Sequence, residues 1–395
     1  MTERTSLQAV IRRHLNGYAA TQPLSPRQWQ VCSHIHDCRT AAMGGLHIAC
    51  DHCGYQPPHF FSCRDRHCPC CQHRATDAWC ERQRGALLPV PYFHLVFTLP
   101  HQLDPWVERH GEVIYGLLFR VVWATLAAFG ADPKRLDGQL GMTAVLHTWG
   151  QTLIRHVHLH CLVPGGALGS DGTWHPVTGN YLFPVAALSR SFRGRFVSAL
   201  RQAYTDGKLH RIAEPKEVDA LLDDLMATDW VVYAKHCLTH TETVVDYLGR
   251  YTHRIALSDS RLIASDGETV QLGYKDDRDG KKKVMTLTAH ELIRRFLLHV
   301  LPAGFMRVRH FGFLANRCRA KRLAQIRQAL DAAAAPEPEE TQGEAADRPP
   351  CPQCGQGRLR IIGRLAPQRT AVPTAKIGAH PLPIDPSGGG GAIAY

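Results

Sequence analysis

Leu7, Val10, Ile11 and Leu15 recur at helical spacing, so the first predicted element is an amphipathic helix over residues 5–16 that ends near Gly17. That rhythm is lost over residues 28–85, which hold nine of the fourteen cysteines and suit a small module held by metal rather than by an apolar core. Residues 92–98 (YFHLVFT) read as a strand and 106–126 as a long helix, and 142–149 and 155–163 are two further strands, the second bounded by Pro164-Gly165-Gly166. Helices are predicted at 184–204 and 215–226, a strand at 230–235 (WVVYAK) and a helix at 242–251. Short strands flank Asp266-Gly267 as a hairpin, a helix over 288–301 stops at Pro302, and a basic helix over 317–335 runs into an acidic Pro/Glu stretch. After Cys354 the chain is rich in Pro and Gly and is expected to be disordered. The pattern is α+β without an internal repeat. It divides into an N-terminal helix with a cysteine-rich domain (1–88), a central domain (89–260), an α+β extension (261–330), and an acidic linker with a largely disordered tail (331–395).

Charge adds a partner class. The chain has 395 residues, with 46 Lys+Arg against 35 Asp+Glu and a net charge of +11. Residues 331–350 carry a net −5 and 351–395 a net +4, which leaves +12 on residues 1–330. A basic, Arg-rich body points to a polyanion, most often nucleic acid. The longest apolar run, residues 121–131, is far below the ~20 residues that cross a bilayer, and the N-terminus lacks signal-peptide features. No membrane association is therefore expected, and the expected compartment is the cytoplasm, where cysteines serve as metal ligands more often than as disulfides.

Cys50-x2-Cys53 and Cys68-x2-Cys71 are two knuckles at a spacing that suits one tetrahedral Zn2+. Cys63, His67 and Cys70 lie close enough to replace a ligand. His34, His36 and Cys38 could form part of a second site with Cys32. Cys351-Pro-Gln-Cys354-Gly is half a zinc ribbon whose partners are either elsewhere in the chain or lost. The lone Cys161, Cys237 and Cys318 read as ordinary buried thiols.

The strand Arg155-His-Val-His-Leu-His-Cys-Leu-Val puts His156, His158 and His160 on one face and Val157, Leu159 and Cys161 on the other. Three imidazoles in register can hold a divalent cation. In Asp246-Tyr-Leu-Gly-Arg-Tyr-Thr-His253, Tyr247 and Tyr251 stand four apart, so a helix brings both hydroxyls to one side. A tyrosine there can attack a phosphodiester and form a phosphotyrosine. Lys235 could offset phosphate charge; Arg250, Arg254, Arg294, Arg295, Arg307 and Arg309 are candidate phosphate contacts; Trp149 and Phe93 could stack bases.

These segments resemble the two-tyrosine rolling-circle transposases of bacterial insertion sequences, members of the HUH superfamily of single-strand DNA endonucleases. The resemblance rests on CRTAAMGG at 38–45, the Cys50–Cys71 cluster with SCRDRHCPCC, LLPVPYFHLVFTLP at 87–100 and the His156–Gly166 strand. It continues through WVVYAKH at 230–236, DYLGRYTHRIALS at 246–258 and HVLPAGFMRVRHFGFLAN at 299–316. It implies an HUH-type antiparallel sheet flanked by helices over 89–260 behind a zinc-binding domain. It also implies His158 and His160 as the metal pair, Tyr247 and Tyr251 as nucleophiles, and Mg2+ or Mn2+ beside structural Zn2+. The implied partner is single-stranded DNA at transposon ends and target, in the cytoplasm of a bacterium, with no nucleotide cofactor, in keeping with the lack of a G-x4-G-K-[ST] phosphate loop. The third ligand stays open between His156 and a polar residue near the tyrosines such as His253. Two departures are Val157, where such strands often carry proline, and Cys70, where a polar residue is usual; the second leaves the ligand choice between Cys70 and Cys71 open. A plasmid replication initiator or relaxase would share the chemistry, and a zinc-containing DNA-binding protein without catalysis would share the charge.

Overall fold

The structure, a computed structural model, describes residues 5–71, 86–212, 215–238, 256–276, 278–332 and 348–368, with only the backbone at 215 and 235–238. Helices α1 (Leu7–Thr21) and α2 (Pro26–Asp37) lead to strands β1 (Gly45–Cys50) and β2 (Pro58–Phe60). Then come β3 (Tyr92–Thr98), α3 (Asp104–Gly130), β4 (Gly141–Trp149), β5 (Arg155–Pro164), β6 (Gly166–Leu168) and β7 (Trp174–Pro176). Next are α4 (Val185–Thr205), α5 (Pro215–Ala227), β8 (Val232–Leu238), β9 (Leu262–Ser265), β10 (Thr269–Lys275), β11 (Lys282–Thr288) and α6 (Ala289–Leu297). The last elements are β12 (Val308–Gly312), α7 (Arg319–Ala329) and β13 (Leu359–Leu365).

Period-two alternation in β3, β4 and β5 builds the central layer. These strands pair antiparallel in a five-stranded sheet of order β12-β4-β5-β3-β8. Val157, Leu159, Cys161 and Val163 are buried on one face of β5, alongside Leu95 and Phe97 of β3 and Ala144 and Leu146 of β4. Phe192 and Phe196 of α4 and Leu118, Phe119 and Val122 of α3 complete that core. Burying each such side chain contributes about 1.5–3 kcal/mol, so the alternation fixes which face looks outward. Helix α3 is long and apolar enough to cross a membrane by length and composition, and in the structure its apolar residues pack under the sheet and against α4.

The N-terminal helices and the extension share a second core. Leu7, Val10, Ile11 and Leu15 of α1 and Val31, Cys32 and Ile35 of α2 meet Leu292, Ile293 and Phe296 of α6 and Val270 and Leu272 of the β11-β10-β9 sheet. Burial keeps Cys32 a neutral thiol, its pKa pushed up to about 12. The Asp259 carboxylate accepts the Leu7 N–H at 2.9 Å and ties the start of α1 to this layer.

Several elements differ from the sequence expectation. Strand β13 forms in the stretch expected to be disordered because it pairs with β1, and α7 ends at Ala329 rather than 335. Helix α1 runs four residues beyond Gly17, because that glycine faces His290 of α6 and the interface rewards continuation. Helix α2 lies in a stretch read as irregular; its signal is chemical, a capping box between Ser25 and Gln28 with Pro26 at the first turn. Helix α6 ends at Leu297 rather than 301, because His299 turns inward. There its Nε2–H donates to the Leu153 carbonyl at 3.1 Å, and Nδ1 accepts from the Thr148 hydroxyl at 3.2 Å.

Burial outweighs the Leu153 carbonyl and lowers the His299 pKa from 6.5 to about 4. The unfolded chain therefore binds this proton near pH 6.5 and the folded chain only near pH 4. Stability is intact above pH 6.5 and drains as pH falls towards 4. Thermal melts at pH 7 and pH 5 should show acid loss in the wild type and a smaller loss in His299→Gln, the difference approaching about 2 kcal/mol. Equal losses in both would remove His299 from the account.

Candidate metal centres

The outward face of the sheet gathers histidines from three adjacent strands. In β5, His158 lies opposite His147 of β4 on one side and Thr98 of β3 on the other. Directly opposed residues share a face, so the antiparallel register alone sets His147 beside His158. His147, His158 and His160 offer ligand nitrogens that all lie within 4.8 Å of one another. His156 shares the face but lies between His158 and His101, its ring tilted against both at centroid distances of 4.9 Å and 5.7 Å, outside this group. Sequence reading missed His147. Its signal was an alternating strand read for its apolar residues and Trp149 alone.

Hydrogen bonds orient these rings. His158 Nδ1 donates to the His156 carbonyl at 2.7 Å, which leaves the lone pair on Nε2. His94 of β3 is buried; its Nε2 and His160 Nδ1 share one hydrogen at 2.9 Å, with the rings stacked at 5.1 Å. Trp149 stacks on His147 at 4.5 Å. Burial lowers the His158 pKa to about 4, so the imidazole is neutral at physiological pH. Neutral rings with fixed tautomers are what a divalent cation requires of imidazole ligands. The residues present fit such an ion.

The other predicted site residues divide. The β8 backbone sets Lys235 opposite His94 in the register, while its side chain lies outside the described residues. Tyr247, Tyr251, Arg250, Arg254 and His253 lie outside the described residues altogether. Arg309 sits over the rings of Phe119 and Phe305 at 4.3 Å and 5.0 Å. Burial lowers the Arg307 guanidinium to about 10. Arg294 and Arg295 both pair with Glu291 at 2.6 Å. Phe93 belongs to the main core.

Eight cysteines form two groups, and this corrects the expected ligand set. Cys68 and Cys71 join Cys38 and Cys63, whereas Cys50 and Cys53 join Cys351 and Cys354. The correction has a local cause. Cys38 caps the end of α2 beside Cys71, their sulfurs 3.6 Å apart, whereas β1 and its turn carry Cys50 and Cys53 to a different edge. Cys71, rather than Cys70, belongs to the first group. Cys63 replaces a knuckle residue, a substitution the spacing left open.

The expected His34–His36–Cys38 site does not assemble. His34 bonds the Asp65 carboxylate, and His36 bonds Asp37. His67 is no ligand either: its Nδ1 meets Asp65 at 2.8 Å, and its Nε2 accepts the Leu301 N–H at 3.2 Å. Burial alone would raise the Asp65 pKa, but hydrogen bonds from the His67 side chain and backbone and from His34 overcome it and hold the carboxyl low. Arg66 donates to the Phe305 carbonyl, so the SCRDRHCPCC loop docks on residues 301–305 through polar contacts at both residues.

Residues 141–322 match a family described as "Putative transposase", and residues 10–99 match one described as "Transposase zinc-binding domain". The chain is 44% identical over 373 residues to a protein of Sinorhizobium fredii named "Putative transposase y4qJ", covering 89% of this chain and 94% of that one. It is 30% identical over 307 residues to the transposase for insertion sequence element IS801 of Pseudomonas savastanoi pv. phaseolicola, covering 74% of this chain and 72% of the relative. No solved structure gives a significant match.

The geometry groups His147 with His158 and His160 and leaves His156 beside the group. With Mn2+ as the probe, His147→Ala should weaken binding at least about tenfold by calorimetry, as His160→Ala should, while His156→Ala should leave it nearly unchanged. The reverse pattern for His147 and His156 would assign the third position to His156.

Proposed function

The chain belongs to the IS91/IS801 family of insertion-sequence transposases, and from that premise we propose that it nicks and rejoins single-stranded DNA at transposon ends through a 5′-phosphotyrosine. The observation that carries this reading is the three-histidine group on the outward face of the sheet, within the same five-stranded layer as β8. In the sequence, Tyr247 follows the end of β8 at Leu238 by nine positions.

In this reading His158, His160 and His147 hold a divalent ion, with His94 and the His156 carbonyl positioning the rings. Nitrogen donors favour Mn2+ over Mg2+. When bound, the ion would neutralise charge on the scissile phosphate. The hydroxyl of Tyr247 or Tyr251 gives up its proton and its oxygen attacks phosphorus. The bond from phosphorus to the 3′ oxygen breaks, that oxygen takes up a proton, and the 5′ phosphate stays on tyrosine. Because a phosphoester replaces a phosphoester, the bond energy is kept and no nucleotide cofactor is needed. A free 3′-OH reverses the step and rejoins DNA, and the second tyrosine accepts the second strand. Lys235, Arg250 and Arg254 are the proposed phosphate contacts in this segment. Arg307 and Arg309 contribute charge from their packed positions rather than a direct phosphate contact. The enzyme would act in the cytoplasm, on DNA.

A denaturing gel with labelled single-stranded transposon-end DNA and Mn2+ tests the chemistry. The wild type should form a covalent adduct, and Tyr247→Phe with Tyr251→Phe should form none. An adduct that persists in the double variant would end the tyrosine proposal. His158→Ala should lower cleavage by at least about 100-fold, since charge neutralisation at phosphate contributes several kcal/mol, while DNA binding is largely retained.

A further inference from the structure

We propose that Cys50, Cys53, Cys351 and Cys354 bind a second structural Zn2+, which closes a zinc ribbon from two knuckles about 300 residues apart and clamps residues 348–368 onto β1. Cys351 and Cys354 lie outside both matched family spans, 10–99 and 141–322.

The sulfur geometry is that of a metal site. Cys50 and Cys354 Sγ are 3.8 Å apart, and so are Cys53 and Cys351 Sγ. A disulfide needs about 2.05 Å. A tetrahedron with Zn–S bonds of about 2.3 Å has edges of about 3.8 Å.

Each knuckle carries the backbone that such a site uses. Gly54 and Gly355 follow the second cysteine of their pairs and take positive φ values, 73° and 67°. The backbone N–H groups of His52 and Cys53 point to Cys50 Sγ at 3.4 Å and 3.5 Å, and that of Gly357 points to Cys354 Sγ at 3.4 Å. Such donors stabilise thiolate ligands. A Cβ at Gly357 would lie 2.4 Å from Cys50 Sγ, so the two knuckles approach as closely as backbone allows.

Little else would hold this segment. Strand β13 pairs with β1 from Gly45↔Leu365 to Cys50↔Leu359, yet none of its residues is buried, and Ile361 and Ile362 stay 64% and 48% exposed. An edge strand with so little apolar burial does not repay the entropy of ordering it. A metal that binds four thiolates only when both knuckles meet supplies that free energy, because binding and folding become one equilibrium. Further ties flank β13, where Arg358 N–H donates to the Asp51 carboxylate at 2.7 Å, Asp51 N–H to the Arg358 carbonyl at 3.1 Å and Gln368 N–H to the Ala41 carbonyl at 2.8 Å.

Cobalt titration of the full-length apoprotein reads the number of four-thiolate sites through the sulfur-to-cobalt absorption, which the histidine site does not give. The wild type should fill two such sites per chain, and Cys351→Ser with Cys354→Ser should fill one. Amides of residues 359–365 should exchange slowly in the metal-loaded wild type and at least about 100-fold faster in the variant. One site in the wild type, two in the variant, or unchanged exchange would each overturn the proposal. If the variant does not fold, the wild-type count decides alone.

Discussion

The antiparallel register of β4, β5 and β3 is the constraint on which the candidate chemistry depends. Pairing His147 with His158, and Thr98 with His158 on the other side, fixes the lateral positions of the rings before any ligand arrives. The register is held by the opposite face, where Val157, Leu159 and Cys161 are buried among Phe97, Leu146 and Phe192. A slip of one residue would send the histidines into that core and the apolar residues to water, at several kcal/mol for the strand. The histidine face is thus specified by the core it does not belong to.

That sheet is coupled to the cysteine-rich region through histidines that bind no metal. His67 links Asp65 to the backbone at Leu301, and His299, two residues earlier, links the same segment to Thr148 and Leu153 at the ends of β4 and the turn before β5. Trp149 then lies between His147 and His299, at ring distances of 4.5 Å and 6.2 Å. A continuous set of contacts therefore runs from the Cys63–Cys71 loop, through residues 299–301, to the histidine group. The first cysteine group serves to shape this loop, since its sulfurs fix the turn from which Asp65, Arg66 and His67 project.

The sequence made the central layer legible because alternation is local: β3, β4, β5, α3 and α4 fall within a few residues of the pattern. The pair His158 and His160 was legible for the same reason. What was not legible depends on contacts between distant segments. His147 acquires its meaning only from the strand it pairs with. Strand β13, in a stretch whose composition reads as disorder, exists as a partner for β1. The division of the cysteines follows chain paths rather than spacing: the interval between Cys53 and Cys68 fits one zinc site on paper, but β1 carries the first pair away. The tyrosine segment, the most telling motif, lies outside the described residues, so its meaning still rests on spacing and resemblance.

The charge of the chain acquires a finer reading from the same geometry. Several arginines that sequence counts as phosphate contacts are engaged within the fold: Arg309 over Phe119 and Phe305, and Arg294 and Arg295 on Glu291. A guanidinium over aromatic rings or on a backbone carbonyl stabilises packing and keeps its charge, so it contributes to the long-range attraction of a polyanion without touching it. The net +12 on residues 1–330 then acts mainly as a field that concentrates DNA at the protein. In the proposed reading, the groups that touch DNA directly are those beside the histidine face. By backbone register Lys235 stands opposite His94, beside that face.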